Sequence, residues 1–314
     1  MRRDSVVRWG LWVVLGLSVI GANAGFTSGS ELVLHDNFDD SDRIRPEKWY
    51  GSETRRPNTI LEAARFVADG KLHLSAVGYG GVRSNGGRET GSFGLGVKTA
   101  RAITTLQAEL TITNAMAETC VENTEATQGR AQLVGFFFHD ESRSQRQKGD
   151  LTGDVVAVME KVADSKDGNF IRALVLRCTS WTCNKGETIK ALLFTRKWEL
   201  SQPDVLQIAW EPQGSQFVFT VNPGAEGTET RRITYDEAIR PLKPPKWQLQ
   251  RIRVRHHGAN CKAGRRGALM NVAVDDVYLQ FLDPQALAAL SSQEVTSATH
   301  LPHRGETDRI QEYP

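Results

Sequence analysis

Asp69-Gly70-Lys71-Leu72-His73-Leu74-Ser75-Ala76-Val77 is the stretch that decides the fold class. Leu72, Leu74 and Ala76 alternate with Lys71, His73 and Ser75, and Asp69-Gly70 provides turn chemistry just before them. A period of two sends successive side chains to opposite faces, so the segment is a strand with one face in a core. The pattern recurs on both sides of it. Glu31–His35 is a short apolar strand, and Gln107–Thr113 alternates Ala108, Leu110 and Ile112 with polar partners. Ala131–His139, with its Val134-Gly135-Phe136-Phe137-Phe138 run, reads as a strand buried on both faces. Val155–Val162, Phe170–Arg177, Thr188–Phe194, Val205–Trp210, Gln216–Val221, Arg251–His257 and Met270–Phe281 follow. Turn dipeptides such as Asn85-Gly86, Asp167-Gly168, Lys185-Gly186 and Gln213-Gly214 separate them. Only Asp236–Arg240 and Gln285–Leu290 suggest brief helical turns. The expected fold is all-β, a jelly-roll β-sandwich of two antiparallel sheets.

The ends of the chain read differently. Arg2, Arg3 and Arg8 precede the apolar run Leu11–Ile20, and Ala22-Asn23-Ala24 is a small-x-small cleavage site. That is the grammar of a secretory signal peptide over residues 1–24, with an uncleaved anchor as the alternative. The sandwich then occupies 25–284, and a polar, aperiodic tail occupies 285–314. The expected location is periplasmic or extracellular, without stable membrane insertion after cleavage. Over 314 residues Lys plus Arg number 39 and Asp plus Glu 37, a formal charge of +2. Arg2, Arg3, Arg8 and Asp4 lie in the leader, so the remaining chain carries 36 of each sign and is formally neutral. A nucleic-acid binder would show a large basic excess, and that partner is excluded as an expectation. Attraction for an anion has to come from a local feature.

Export makes the four cysteines readable. Cys178 and Cys183 flank a hairpin tip, so the preferred pairing is Cys178 with Cys183, and Cys120 with Cys261 across distant loops. Three connectivities are open to four cysteines. Zinc has no support, because no second Cys-x-x-Cys or His-rich segment accompanies them.

Several segments resemble the concanavalin A-like lectin/glucanase superfamily. Leu32-Val33-Leu34-His35-Asp36-Asn37-Phe38-Asp39-Asp40 with Lys48-Trp49 is similar to its opening strand. Ala64 to Leu74 is similar to its second strand pair, and Asn271 to Leu279 to its closing strand. Among enzymes of that fold, laminarinase-like glycoside hydrolases carry Glu-x-Asp-x-x-Glu on the catalytic strand. Retaining chemistry sets its two carboxylates about 5 Å apart. Here the matching strand is Asp154-Val155-Val156-Ala157-Val158-Met159-Glu160, with Val155 and Ala157 at the other two catalytic positions. Only Glu160 matches, and Asp154 enters only by a one-residue slip that reverses the face. The resemblance also implies a structural calcium, with Asp275 on the closing strand and Gly70 in the matching turn; the alternative is an Asp that caps a turn.

Other candidates come from the residues themselves. Arg251, Arg253 and Arg255 alternate with Ile252 and Val254, so one strand face is a row of guanidinium groups. Arg binds carboxylates bidentately, which suits a uronate or sulfated glycan; the alternative is a solvated face paired with acids. Trp181, between the cysteines of the hairpin tip, offers a sugar platform, as does Tyr79 at the start of the Gly-rich loop Gly78–Gly96. Trp49, Trp198, Trp210 and Trp247 read as core. The leading expectation is a non-catalytic protein that binds polysaccharide or glycan. The alternatives are a hydrolase or lyase using Glu160, and a structural or adhesion module of the cell envelope.

Overall fold

A computed structural model describes residues 31–56, 60–83, 86–99, 101–140, 150–183, 185–236 and 249–283, with 239, 245 and 285. The expected leader, most of the tail, Trp247 and most of the Asp236–Arg240 turn lie outside the described residues. Sixteen strands are described. The first eight are β1 (Val33–Asp36), β2 (Trp49–Tyr50), β3 (Thr54–Arg56), β4 (Leu61–Ala68), β5 (Lys71–Tyr79), β6 (Arg88–Val97), β7 (Ile103–Ala117) and β8 (Gln128–His139). The rest are β9 (Asp154–Asp164), β10 (Gly168–Cys178), β11 (Gly186–Leu193), β12 (Pro203–Glu211), β13 (Gln216–Val221), β14 (Glu229–Thr234), β15 (Gln250–Ala259) and β16 (Gly267–Phe281).

They form two antiparallel sheets. One runs β14-β13-β12-β7-β16-β5-β4-β3, with β1 also paired to β16; the other runs β11-β10-β9-β8-β15-β6-β2. This is the jelly-roll sandwich that the concanavalin A-like resemblance implied. The core lies where the two inner faces meet, and the alternation of each strand decides which residues reach it. Leu72, Leu74 and Ala76 of β5 are buried there, as are Leu106, Ala108, Leu110 and Ile112 of β7. Phe137 and Phe138 join Trp210, Phe217 and Tyr235 in an aromatic cluster, with Phe138 and Trp210 centroids 5.0 Å apart. Trp49 and Trp198 are buried as expected, and each indole N–H has an acceptor: Asp36 Oδ2 at 2.7 Å and the Val162 carbonyl at 2.8 Å. Lys161 also points inward, with its ammonium 2.8 Å from Asp204 Oδ2 and donating to the Leu110 carbonyl at 2.6 Å.

One expectation is corrected. The Gly-rich stretch Gly78–Gly96 is not one loop: its second half is strand β6, paired with β15 along its whole length. Phe93, Leu95 and Val97 of β6 face the core, while Gly94 and Gly96 face outward opposite Arg253 and Arg251. A Cβ at Gly94 would collide with Arg253, so the glycines mark clearance for a neighbouring strand's side chains rather than a turn. β7 runs to Ala117 and β8 begins at Gln128.

Both expected disulfides are present, Cys120–Cys261 with a Cα–Cα distance of 5.8 Å and Cys178–Cys183 with 4.9 Å. They fit a non-cytosolic protein. Among the described residues no helix is long and apolar enough to cross a membrane.

His256 is an unusual core residue. Its ring fills the space that side chains at Gly78 and Gly91 would need, and both its nitrogens are buried without a hydrogen-bond partner. Burial first, and then the Arg255 charge, lowers its pKa to about 4 from 6.5. A folded pKa below the unfolded one means the unfolded chain binds the proton more readily. The contribution is therefore complete above pH ~6.5 and is lost as pH falls toward 4, at up to about 1.4 kcal/mol per pH unit. Urea midpoints measured from pH 7 to pH 4 are expected to fall, with a shallower fall in His256→Leu. Parallel curves for the two proteins would refute the assignment to His256.

Candidate functional site

The outer face of the seven-stranded sheet carries the candidate site, and cross-strand register builds it rung by rung. The first rung is Leu176–Val156–Phe136 and the second Leu174–Val158–Val134–Arg251. Next come Arg172–Glu160–Gln132–Arg253 and Phe170–Val162–Arg130–Arg255. A last rung joins Asp164, Gln128 and His257. Side chains of one strand face recur every second residue, so each rung lies about 7 Å from the next. Polarity thus changes along the strands, from an aliphatic end near Cys178 to a cationic end near His257.

These rungs floor a cleft of about 1370 Å³. Six arginines line it: Arg88, Arg130, Arg172, Arg251, Arg253 and Arg255. Among the described residues no Asp or Glu lines it. Gln128, His257, Thr182 and Thr188 add polar groups, and Trp181, 46% exposed, stands at the rim. The rim loop is held by the Cys178–Cys183 bridge and by the Leu151 N–H donating to the Trp181 carbonyl at 3.0 Å.

Glu160 lies beneath the arginines and is fully buried. Its carboxylate accepts from Arg172 Nε and Gln132 Nε2, and Arg130 Nη1 is 3.7 Å from it. Burial pushes its pKa up, but Arg130, Arg172 and the hydrogen bonds outweigh that and hold it below the usual range. The group is an ionised counter-charge, not a carboxylic acid with a proton to give. Gln132 also accepts from Arg253 Nε at 2.6 Å, so one amide ties the carboxylate to the arginine row. Asp154 does not complete a pair with Glu160. Six residues along one strand span about 20 Å, against the ~5 Å of a retaining pair, and Asp154 is fully buried beside His139 Nδ1 at 2.9 Å.

The arginines are poorly compensated. Arg88 has Glu125 at 2.9 Å, and Arg130 and Arg172 share Glu160. Arg251, Arg253 and Arg255 have no ion-pair partner among the described residues. Burial, with mutual repulsion, brings Arg130 and Arg253 to about 10, so both remain charged at neutral pH. Arg130 Nη2 meets His257 Nδ1 at 3.0 Å. A guanidinium only donates, so Nδ1 accepts and the proton of the neutral ring sits on Nε2. Burial and four nearby arginines keep that ring neutral, with a pKa of about 2.

The sequence candidates separate cleanly. Arg251, Arg253, Arg255 and Trp181 come together in the cleft with Glu160 under it. Tyr79 does not join them: it ends β5 in the other sheet, against Gly267. Gly70 lies in the turn between β4 and β5, and Asp275 on strand β16. Lys71 Nζ lies 2.9 Å from Asp275 Oδ2 and supplies the positive charge there. Gly70, at φ +68°, has Asp39 at its open side. Arg88, Arg130, Arg172, Gln132 and His257 were not singled out from the sequence. The signal was present in β8, where Gln128, Arg130 and Gln132 share a face and Val134 and Phe136 continue it.

No family model and no curated protein matches the chain. Solved structures similar to it include an alginate lyase mutant in complex with alginate trisaccharide, at 10% identity over 81% of this chain and 99% of that one, TM-score 0.37. Lectin II from Ulex europaeus has 11% identity over 75% and 99%, TM-score 0.30. The CBM2 module of the evolved Dit of Lactobacillus casei BL23 phage J-1 has 13% identity over 81% and 98%, TM-score 0.36.

Proposed function

We propose that this chain is a periplasmic or extracellular protein that binds an anionic glycan in the arginine-lined cleft without cleaving it. One observation carries the reading: among the described residues six arginines line the cleft and no carboxylate does. Such a group of like charges is relieved by an anion, and guanidinium forks pair with carboxylate or sulfate oxygens bidentately. The donors are spread over three rungs of a sheet face, a layout for an extended, repeating ligand rather than one compact ion. The chain outside the leader is formally neutral, so the attraction is local and does not extend to the broad basic surface a duplex nucleic acid needs. Glu160 serves as the counter-charge that lets Arg130 and Arg172 stand side by side. A carboxylate held ionised, hydrogen-bonded by Arg172 and Gln132 and facing Arg130, has neither the proton nor the open oxygen of a general acid or base.

Calorimetric titration with a uronic-acid trisaccharide tests this. Binding is expected in ~50 mM salt and weakens about tenfold in ~500 mM, while a neutral trisaccharide does not bind. Arg251→Ala is expected to weaken binding about tenfold and leave the urea midpoint unchanged, since Arg251 has no ion-pair partner to strand. Equal affinity for the neutral and charged sugars, or no binding of either, would sink the proposal.

A further inference from the structure

One end of the cleft is mainly apolar. The two rungs nearest Cys178 are Leu176–Val156–Phe136 and, before it reaches Arg251, Leu174–Val158–Val134. They form an apolar cluster with Leu151, Leu249 and the Cys178–Cys183 bridge, separate from the core between the sheets. Four of these six side chains belong to strands whose next outward residues are Glu160 and Gln132, so the change from aliphatic to charged occurs within one rung. A bare polyuronate has hydroxyls and carboxylates along its whole length. Sugar rings are gripped by flat aromatic faces, whereas this floor is mainly branched aliphatic carbon. Laid along the cleft, such a glycan would leave hydroxyl groups over Val156, Val158 and Leu174 with nothing to bond.

We infer that the anionic glycan bound here carries an acyl chain, which lies on the aliphatic rungs while its charged groups sit on the adjoining arginines; this rests on the anionic-glycan reading above. The occupant follows from continuity and charge. The aliphatic floor opens into the arginine rungs of the same cleft, so whatever covers it is joined to an anion. The patch is about 7 Å along the strands and about 10 Å across three of them, the footprint of a medium-length alkyl chain and too small for a folded partner. Val134, Phe136, Val156 and Val158 lie beneath it at 6% exposure or less, so the surface open to a ligand is that of the half-buried Leu174 and Leu176, with Trp181 and Cys183 beside them.

The experiment compares the methyl and octyl glycosides of the uronic-acid trisaccharide with the octyl glycoside of a neutral trisaccharide, all below micelle formation. The octyl uronide is expected to bind roughly thirtyfold tighter than the methyl uronide, about 2 kcal/mol. In Leu174→Ser that advantage is expected to fall below threefold with the methyl uronide unaffected. Trp181→Ala, at an exposed rim position, is expected to reduce it as well and guards against a folding defect in the first variant. Equal binding of both uronides overturns the acyl inference and leaves the anionic-glycan reading standing. Binding of the neutral octyl glycoside as tightly as the octyl uronide also overturns it, because the floor would then act without the arginines. Binding of no uronide overturns both.

Discussion

Replacing Cys120 and Cys261 together by alanine is expected to lower the unfolding free energy by about 5 kcal/mol, and replacing Cys178 and Cys183 by about 2 kcal/mol. The difference comes from loop length. The first bridge joins residues 141 apart and the second residues 5 apart. Closing the longer loop removes far more freedom from the unfolded chain. The long bridge also anchors a local network. Cys120 and Cys261 pack on Ala259, and Asn123 Nδ2 donates to the carbonyls of Gly87 and Asn260 at 2.9 and 2.8 Å. It fastens the end of β7 in one sheet to the end of β15 in the other. Urea denaturation of the two double mutants, oxidised and reduced, measures the difference. Equal losses from the two pairs would contradict the loop-length account.

Glu160→Gln is expected to move stability and affinity in opposite directions. Removing one partner of a buried ion pair leaves Arg130 and Arg172 uncompensated, at a cost of about 3 kcal/mol in unfolding free energy. The same change deletes the one negative charge that the described residues place under the arginine row, so the uronic-acid trisaccharide is expected to bind about tenfold tighter. Gln preserves the shape and can still bond to Gln132, which keeps the effect electrostatic. An unchanged urea midpoint would show that Glu160 is not the counter-charge. Weaker sugar binding would place the carboxylate in contact with the ligand and reopen its role as a catalytic base.

Strand positions and the Cys178–Cys183 bridge were legible because each rests on local chemistry, and Cys120–Cys261 was the pair that remained. Period-two alternation in β5 and β7 fixes which face is buried, and the Cys178–Cys183 hairpin is marked by its own short loop. The arginine row of β15 was legible for the same reason. The rest of the cleft was not, since Arg130, Arg172 and Gln132 meet Arg253 only through the pairing of β10, β9, β8 and β15. Register between strands distant in sequence is written in no single segment. Strand β6 was hidden by its glycines, which read as turn residues until the side chains opposite them are known. Tyr79 misled in the same way, because its flanking glycines accommodate a neighbour rather than frame a groove. At Gly78 that neighbour is His256, and at Gly80 the backbone of Ala259.

Glu160 and Lys161 are consecutive, opposite in charge, and point to opposite faces of β9. Glu160 is answered within its own sheet by Arg172 of β10, whereas Lys161 is answered by Asp204 at the start of β12 in the facing sheet. Two greasy surfaces in contact can slide past one another at little cost, because apolar attraction is indifferent to direction. A buried ammonium between them cannot, since moving it by a few ångströms separates it from Asp204, which keeps only Arg196, and leaves the ammonium unpaired in a dry medium. Lys161 therefore works as a key that stops the two layers at a single offset. Because the neighbouring residue holds the arginines in place, the alignment of the layers and the spacing of the charges above them are set by one dipeptide.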